Sequence, residues 1–154
     1  MTISYEDIAK APGFLIRRCH QISTAIFLEE IGDADLSPTQ FSALATINSS
    51  PGIDQTTLGD AIALDRSSVT KCVERLQKRG LIRRTVSNSD RRARKLSSTQ
   101  KGASLIEMAG PAAKRAGDRI LTAMDPDKAA ILLSLLVELS DSLNATSRSP
   151  LNQA

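Results

Sequence analysis

No tryptophan occurs in these 154 residues, and aromatic side chains make up only 3% of the chain. A core without large rings is filled by aliphatic residues and alanine, which favours helices over sheets. There is one histidine, His20, and the two cysteines, Cys19 and Cys72, lie far apart with no ligand pattern around them. The chain has no cysteine pair at metal-ligand spacing, no glycine-rich phosphate loop and no nucleophile elbow. Little catalytic material remains, and the expectation is a protein that is not an enzyme and takes no cofactor or metal. Absent too is any apolar run long enough to span a bilayer, and the start MTISYEDIAKAPG lacks the basic-then-apolar order of a secretion signal. The expected location is the cytoplasm, with both thiols reduced and no membrane partner.

Charge is present in quantity and unevenly placed. The net charge of +3 hides a segment, Asp65 to Lys101, with twelve Lys and Arg against three carboxylates, a surplus of nine. The remainder holds eight cations and fourteen carboxylates, an excess of six negative charges. A basic block on an otherwise acidic chain points to a phosphate polyanion, because each neutralised phosphate releases counterions.

The length suits one domain, or one domain with a helical extension, and 41% hydrophobic content is enough for a core. A helix is expected from Pro12 to about Ile31, with Leu15, Cys19, Ile22 and Ile26 at helical spacing and Phe14, Phe27 and Leu28 widening the stripe. Ser37-Pro38 starts a second, short helix burying Phe41, Leu44, Ala45 and Ile47, closed by Pro51-Gly52. Asp54 caps a third carrying Leu58, Ala61 and Ile62. After the turn Ala63-Leu64-Asp65 comes a helix with Val69, Cys72, Val73 and Leu76 on one face, ended by Gly80. Two short strands, LIRRTVS and RARKLSS, follow around the turn Asn88-Ser89-Asp90-Arg91. Thr99 to about Met124 reads as a helix interrupted or kinked at Gly110-Pro111. Asp125-Pro126 starts a last, mostly apolar helix, and the polar tail after Asn144 is expected to fray.

Two short helices at a tight turn, then a basic hairpin, make a winged helix-turn-helix plan. The fold class expected is mainly α with a small β-hairpin wing. The helix after Asp65 must bury one face, so the other can enter a major groove. Ser67, Ser68 and Thr70 are small there and let the backbone approach DNA, and Lys71 and Arg75 follow one turn apart. The hairpin tip, with Arg91, Arg92 and Arg94, is slim enough for a minor groove. Lys78, Arg79, Arg83 and Arg84 lie between these parts, with phosphate or solvent as their expected partners.

The run from Leu36 to Gly102 resembles the multiple antibiotic resistance regulator (MarR) family. The matching pieces are LSPTQFSAL, TLGDAIALDRSSVTKCVERLQKRGLIRR and SDRRARKLSSTQKG, and the Asp-x-Arg wing signature falls on Asp90 and Arg92. The flanking helices match in order, so the resemblance covers nearly the whole chain. It implies a homodimeric regulator, with residues 1–35 as an N-terminal dimerisation helix and 36–100 as the DNA-binding lobe. Residues 101–145 are then C-terminal dimerisation helices, and 146–154 a flexible tail. It further implies that Arg92 enters the minor groove while Asp90 holds neighbouring arginines in place. Ser98 departs from the pattern, which has leucine before the threonine, and puts the packing of the second wing strand in question.

The stretches APGFLIRRCHQISTAIFLEEI and PGIDQTTLGDAIALDRS resemble a narrower branch that controls aromatic-acid degradation. That resemblance implies a small-molecule effector, an aromatic carboxylate or its coenzyme A thioester, bound beside the first helix. Arg17, Arg18 and His20 cluster there, and an arginine fork suits a carboxylate or phosphate. The plainer alternative pairs Arg17 and Arg18 with Glu29, Glu30 or a second subunit, and leaves His20 as a surface residue. The resulting expectation is a repressor of a pseudo-palindromic operator on double-stranded DNA. Two alternatives stand beside it: a winged-helix module for protein contacts alone, and a regulator of the same family sensing a drug or an oxidant.

Overall fold

Residues 4–86 and 94–151 are described by the computed structural model of the chain, and within them short polar caps fix where the helices begin. Helix α1 spans Tyr5–Lys10, where the sequence reading placed no element. A capping box starts it: the Ser4 hydroxyl accepts from the Asp7 amide (3.2 Å), and the Asp7 carboxylate accepts from the Ser4 amide (3.0 Å). Helix α2 spans Pro12–Ile31, at the expected bounds. A single 3-10 turn, Gly32–Ala34, leads to α3, Pro38–Ser49. Ser37 and Gln40 form the same kind of box at its start, through bonds of 3.2 and 3.0 Å.

Helix α4 spans Gln55–Ala61 and α5 spans Arg66–Lys78. The expected apolar face of α5 is the buried one: Val69, Cys72, Val73 and Leu76 join Leu36, Leu44, Ile47, Leu58, Leu81 and Leu96 in one cluster. Within α4, Leu58 and Gly59 are buried while Ala61 faces outward, contrary to expectation. The reason is proximity: a Cβ on Gly59 would lie 3.0 Å from the Leu64 carbonyl oxygen, so α4 presents its smallest residue to the turn. A polar brace also joins the two helices. Gln55 Nε2 donates to the Thr70 hydroxyl oxygen (2.5 Å), and that hydroxyl donates to the Arg66 carbonyl (2.8 Å).

Strands β2 (Ile82–Val86) and β3 (Arg94–Ser98) are the expected hairpin. A strand of two residues, β1 (Ile53–Asp54), was not expected and pairs with the other edge of β3, giving the antiparallel order β1-β3-β2. Ile53 and Arg84 both stand opposite Leu96. Ser98, the departure from the family pattern, donates to Asn48 Oδ1 of α3 at 2.7 Å, so a polar bond holds the strand where a leucine was expected to pack.

Helix α6 spans Gln100–Leu121 and runs unbroken through Pro111, against the expected interruption. Proline removes one amide, which leaves the Glu107 carbonyl without its helical donor, but Glu107 is exposed and water can serve it. Helix α7 spans Pro126–Ser142, and a 3-10 turn covers Asn144–Thr146. The following segment is fastened rather than free as far as Leu151: the Asn144 carboxamide donates to the Leu151 carbonyl and accepts its amide, both at 2.8 Å.

A second, smaller cluster joins α2 to α6 through Ile31, Ala34, Ala109 and Ala112, and Phe27 meets Phe41 edge to face at 5.7 Å. Glu30 binds Arg115 (3.0 Å) and Arg119 (2.9 Å), and Glu29 binds Arg119 (3.1 Å). Arg119 first, then Arg115, hold the Glu30 carboxyl below the usual carboxylate range. That contribution is present above the ordinary carboxylate pKa and is lost as pH falls through the depressed one. Much of the remaining apolar surface is open in the single protomer. The α2 stripe residues Leu15, Cys19 and Ile22 are exposed, and Ile131, Leu133, Leu135, Leu136, Val137 and Leu139 on α7, with Leu143 at its C-cap, are 45–59% exposed. Among the described residues no helix is long and apolar enough to cross a membrane.

The tightest glycine position is at the start of α6, where a Cβ on Gly102 would fall 2.0 Å from the Leu81 carbonyl oxygen. Gly102→Ala should therefore destabilise the protein by about 2 kcal/mol or more, through forced backbone displacement. Urea denaturation would show this as a lower midpoint at unchanged slope. Gln55→Ala should remove about 1 kcal/mol by breaking the brace to Thr70. An unaltered urea midpoint would show that the brace contributes nothing.

Candidate nucleic-acid interface

The reading helix of the sequence analysis is α5, and a single carboxylate organises its first turn. Asp65 accepts from the amides of Ser67 (2.9 Å) and Ser68 (3.0 Å) and from the Ser68 hydroxyl (2.7 Å). The Ser68 hydroxyl, then its amide, hold the Asp65 carboxyl below its ordinary pKa. Asp54 caps α4 in the same manner, with Thr56 and Thr57 amides at 2.9 Å and the Thr57 hydroxyl at 2.8 Å. The Thr57 amide and hydroxyl lower its pKa. Both caps are fully formed above the ordinary aspartate pKa and fail only as pH drops through the depressed values, so they are intact at neutral pH.

With the apolar side of α5 buried, Arg66, Ser67, Lys71 and Arg75 are exposed. Ser68 and Thr70, also expected on the groove-facing edge, are half-buried. Their hydroxyls are already engaged, Ser68 in the cap and Thr70 in the brace to Gln55. The structure therefore separates residues that the sequence pattern grouped: Ser67, Lys71 and Arg75 have free reach, whereas Ser68 and Thr70 shape the backbone beneath them.

Between α4, the first turns of α5 and the start of β3 lies a groove of about 700 Å³. Gln55, Thr56 and Asp60 line it from α4, Arg66 and Thr70 from α5, and Arg94 from β3. Arg94, opposite Val86 at the outer end of the described hairpin, is exposed. Arg66, Gln55 and Thr56 were not singled out from the sequence. Arg66 could have been, since it directly follows the Asp65 cap, whereas the Gln55–Thr70 link spans fifteen positions with no local signal. Asp90, Arg91 and Arg92 lie outside the described residues.

Two of the four intervening cations, Arg79 and Arg84, differ from the expectation of phosphate or solvent. Arg84 shares the inner face of the sheet with Leu96, and its Nε and Nη2 are buried with no hydrogen-bond partner among the described residues. Arg79 turns away from the groove, toward the carbonyls of Ala34 and Asp35. Lys78 and Arg83 are exposed.

On α2, Arg17, Arg18 and His20 are all exposed. Arg17 lies over the Phe14 ring at 5.1 Å and donates to Gln21 Oε1 at 3.3 Å. Positions 17, 20 and 21 share one side of the helix, and Arg18 is turned about 100° from Arg17. The carboxylates offered as their plainer partners, Glu29 and Glu30, are bound by Arg115 and Arg119 instead. Cys72 is buried, and burial pushes its thiol pKa up, whereas Cys19 is exposed.

Comparison with known proteins agrees with this geometry. Residues 36–93 match the MarR family. The putative transcriptional regulatory protein for the hcr operon of Thauera aromatica is 30% identical over 128 residues, spanning 82% of this chain and 77% of that one. The transcriptional repressor CouR bound to a 23-mer DNA duplex superposes with a TM-score of 0.79 at 28% identity, over 91% of this chain and 99% of that chain. Its p-coumaroyl-CoA complex gives 0.80 at 26%, over 90% and 98%. Bordetella bronchiseptica BpsR, whose DNA binding is regulated by 6-hydroxynicotinic acid, gives 0.81 at 26%, over 92% and 99%. With the reading helix, the paired wing strands and these relatives in agreement, the chain belongs to the MarR family of transcriptional regulators.

Proposed function

We propose that the protein is a homodimeric repressor that binds a pseudo-palindromic operator and is released by a small aromatic carboxylate or its coenzyme A thioester. The observation that carries the DNA-binding part is α5 itself. Its apolar face is buried in the lobe, Lys71 and Arg75 stand exposed on its open side, and Arg66 lines a groove that also holds Arg94. Two such helices in a dimer would enter successive major grooves about 34 Å apart, with the wings in the flanking minor grooves. Arg92 is assigned the wing-tip contact and Asp90 its organisation. The dimer reading is supported by the open apolar surface of α7 and α2, too extensive to be left in water.

The effector reading rests on α2 and on the ligands of the relatives. Arg17, Arg18 and His20 offer cationic and hydrogen-bonding groups, with the Phe14 ring held beneath Arg17. A carboxylate would engage the guanidinium and an aromatic ring would lie against apolar neighbours. Release follows only if the ligand prefers the arrangement that cannot bind DNA. An oxidant signal is disfavoured at Cys72, whose burial keeps the thiol protonated.

Retention on duplex DNA should fall steeply with salt, and Lys71→Ala should lower affinity similarly for all sequences and reduce the salt slope by about 1. Arg92→Ala should weaken operator binding while leaving the melting temperature unchanged. Salt-indifferent retention would instead favour a protein-interaction module. In a gel-shift release assay with aromatic acids and their thioesters, Arg17→Ala or Arg18→Ala should raise the effector concentration needed by about tenfold to a hundredfold, the value of a charge-assisted bond. Release of DNA by every effector at the wild-type concentration would refute the α2 assignment.

A further inference from the structure

The C-terminal end of α5 is tied at one corner to both long helices outside the DNA-binding lobe. Arg79 donates through Nη2 to the Ala34 carbonyl (3.1 Å) and through Nη1 to the Asp35 carbonyl. Those carbonyls end the 3-10 turn that closes α2, where the chain takes positive φ at Gly32 (51°) and Asp35 (47°). The Asp35 carboxylate adds an ion pair at 3.9 Å. From the other side Lys101 Nζ donates to the Arg79 carbonyl (3.0 Å), and the Thr99 hydroxyl donates to the Gly80 carbonyl (2.7 Å), both from the start of α6. The α2 and α6 helices are themselves clasped together by Glu29, Glu30, Arg115 and Arg119.

We infer that Arg79 is a positioning residue that sets the angle between the reading helix and the α2–α6 frame, and thereby the operator spacing the dimer accepts. This rests on the dimeric, operator-binding reading above. Lever geometry gives the effect its size. Thirteen helical residues extend about 20 Å, so a tilt of about 10° about the Arg79 end carries the other end through about 3 Å, close to one base-pair step. Arg79 is not needed to hold α5 in the lobe, because Val69, Cys72, Val73 and Leu76 do that. Its side chain is 32% exposed and touches the frame rather than the groove. Loss of its two bonds leaves the lobe folded and its angle to the frame less defined.

The test uses the full-length chain and an operator selected from random duplexes by the wild-type protein. The operator is then remade with its centre one or two base pairs longer or shorter. Wild type should lose about tenfold or more in affinity for one base pair added or removed, since each step rotates and shifts one half-site. Arg79→Ala should bind the original operator more weakly, bind the altered spacings within about threefold of it, and bind an isolated half-site as wild type does. Arg79→Lys, which keeps a donor at that corner, should recover part of the discrimination. A dimeric Arg79→Ala protein with the wild-type spacing profile overturns this inference alone. A wild-type chain that sediments as a monomer in the presence of operator overturns the dimer reading, and this inference with it. Should Arg79→Ala fail to fold by circular dichroism, Arg79→Gln takes its place under the same two criteria.

Discussion

Burial of one face of α5 is the constraint on which everything else depends. Val69, Cys72, Val73 and Leu76 meet side chains from α3, α4 and the sheet, and no other rotation of that helix would bury them. The same rotation turns Lys71 and Arg75 outward, so the charged edge is a geometric consequence of the core. The caps serve this arrangement. Asp65 decides where the helix begins and hence which residues are nearest its end, and Gly102 allows α6 to start hard against Leu81.

Around that helix the protein has two kinds of surface. One is polar and includes the groove bounded by α4, α5 and β3, lined by Arg66 and Arg94 together with Asp54 and Asp60. The other is apolar and runs along α7 and α2, and it is left open when one protomer is considered alone. They belong to different parts of the fold, which meet at the Arg79 corner and where Phe27 of α2 packs on Phe41 of α3.

Features carried by periodicity or by local capping chemistry were legible in the sequence. Pro12, Ser37-Pro38, Asp54 and Asp65 marked helix starts correctly, and the buried face of α5 followed from spacing alone. Helix α1 was missed although Ser4 and Asp7 carry the signature of a capping box, because six residues offer no apolar period. Strand β1 was missed for a different reason: two residues become a strand only by meeting β3, forty positions away. At the candidate interface, exposure of Lys71 and Arg75 could be read from the helical period. The engagement of Thr70 with Gln55, the inward turn of Arg84 and the docking of Arg79 on Ala34 and Asp35 could not, since each depends on a partner brought near by the fold. Pro111 shows the converse: a strong local breaker sits within α6 where an exposed carbonyl makes the lost hydrogen bond tolerable.

The bond from Ser98 to Asn48 has a consequence for measurement at a distance. A hairpin paired only with itself can slide against the body that carries it, and each slip by two residues preserves the faces while moving the strand by about 7 Å. Ser98 is fixed to α3, so β3 is pinned at its inner end and can project only as far as its remaining residues allow. Arg94 is four residues out from that anchor. The placement of Arg94 relative to the lobe is thus set from α3, at the opposite end of the strand that carries it.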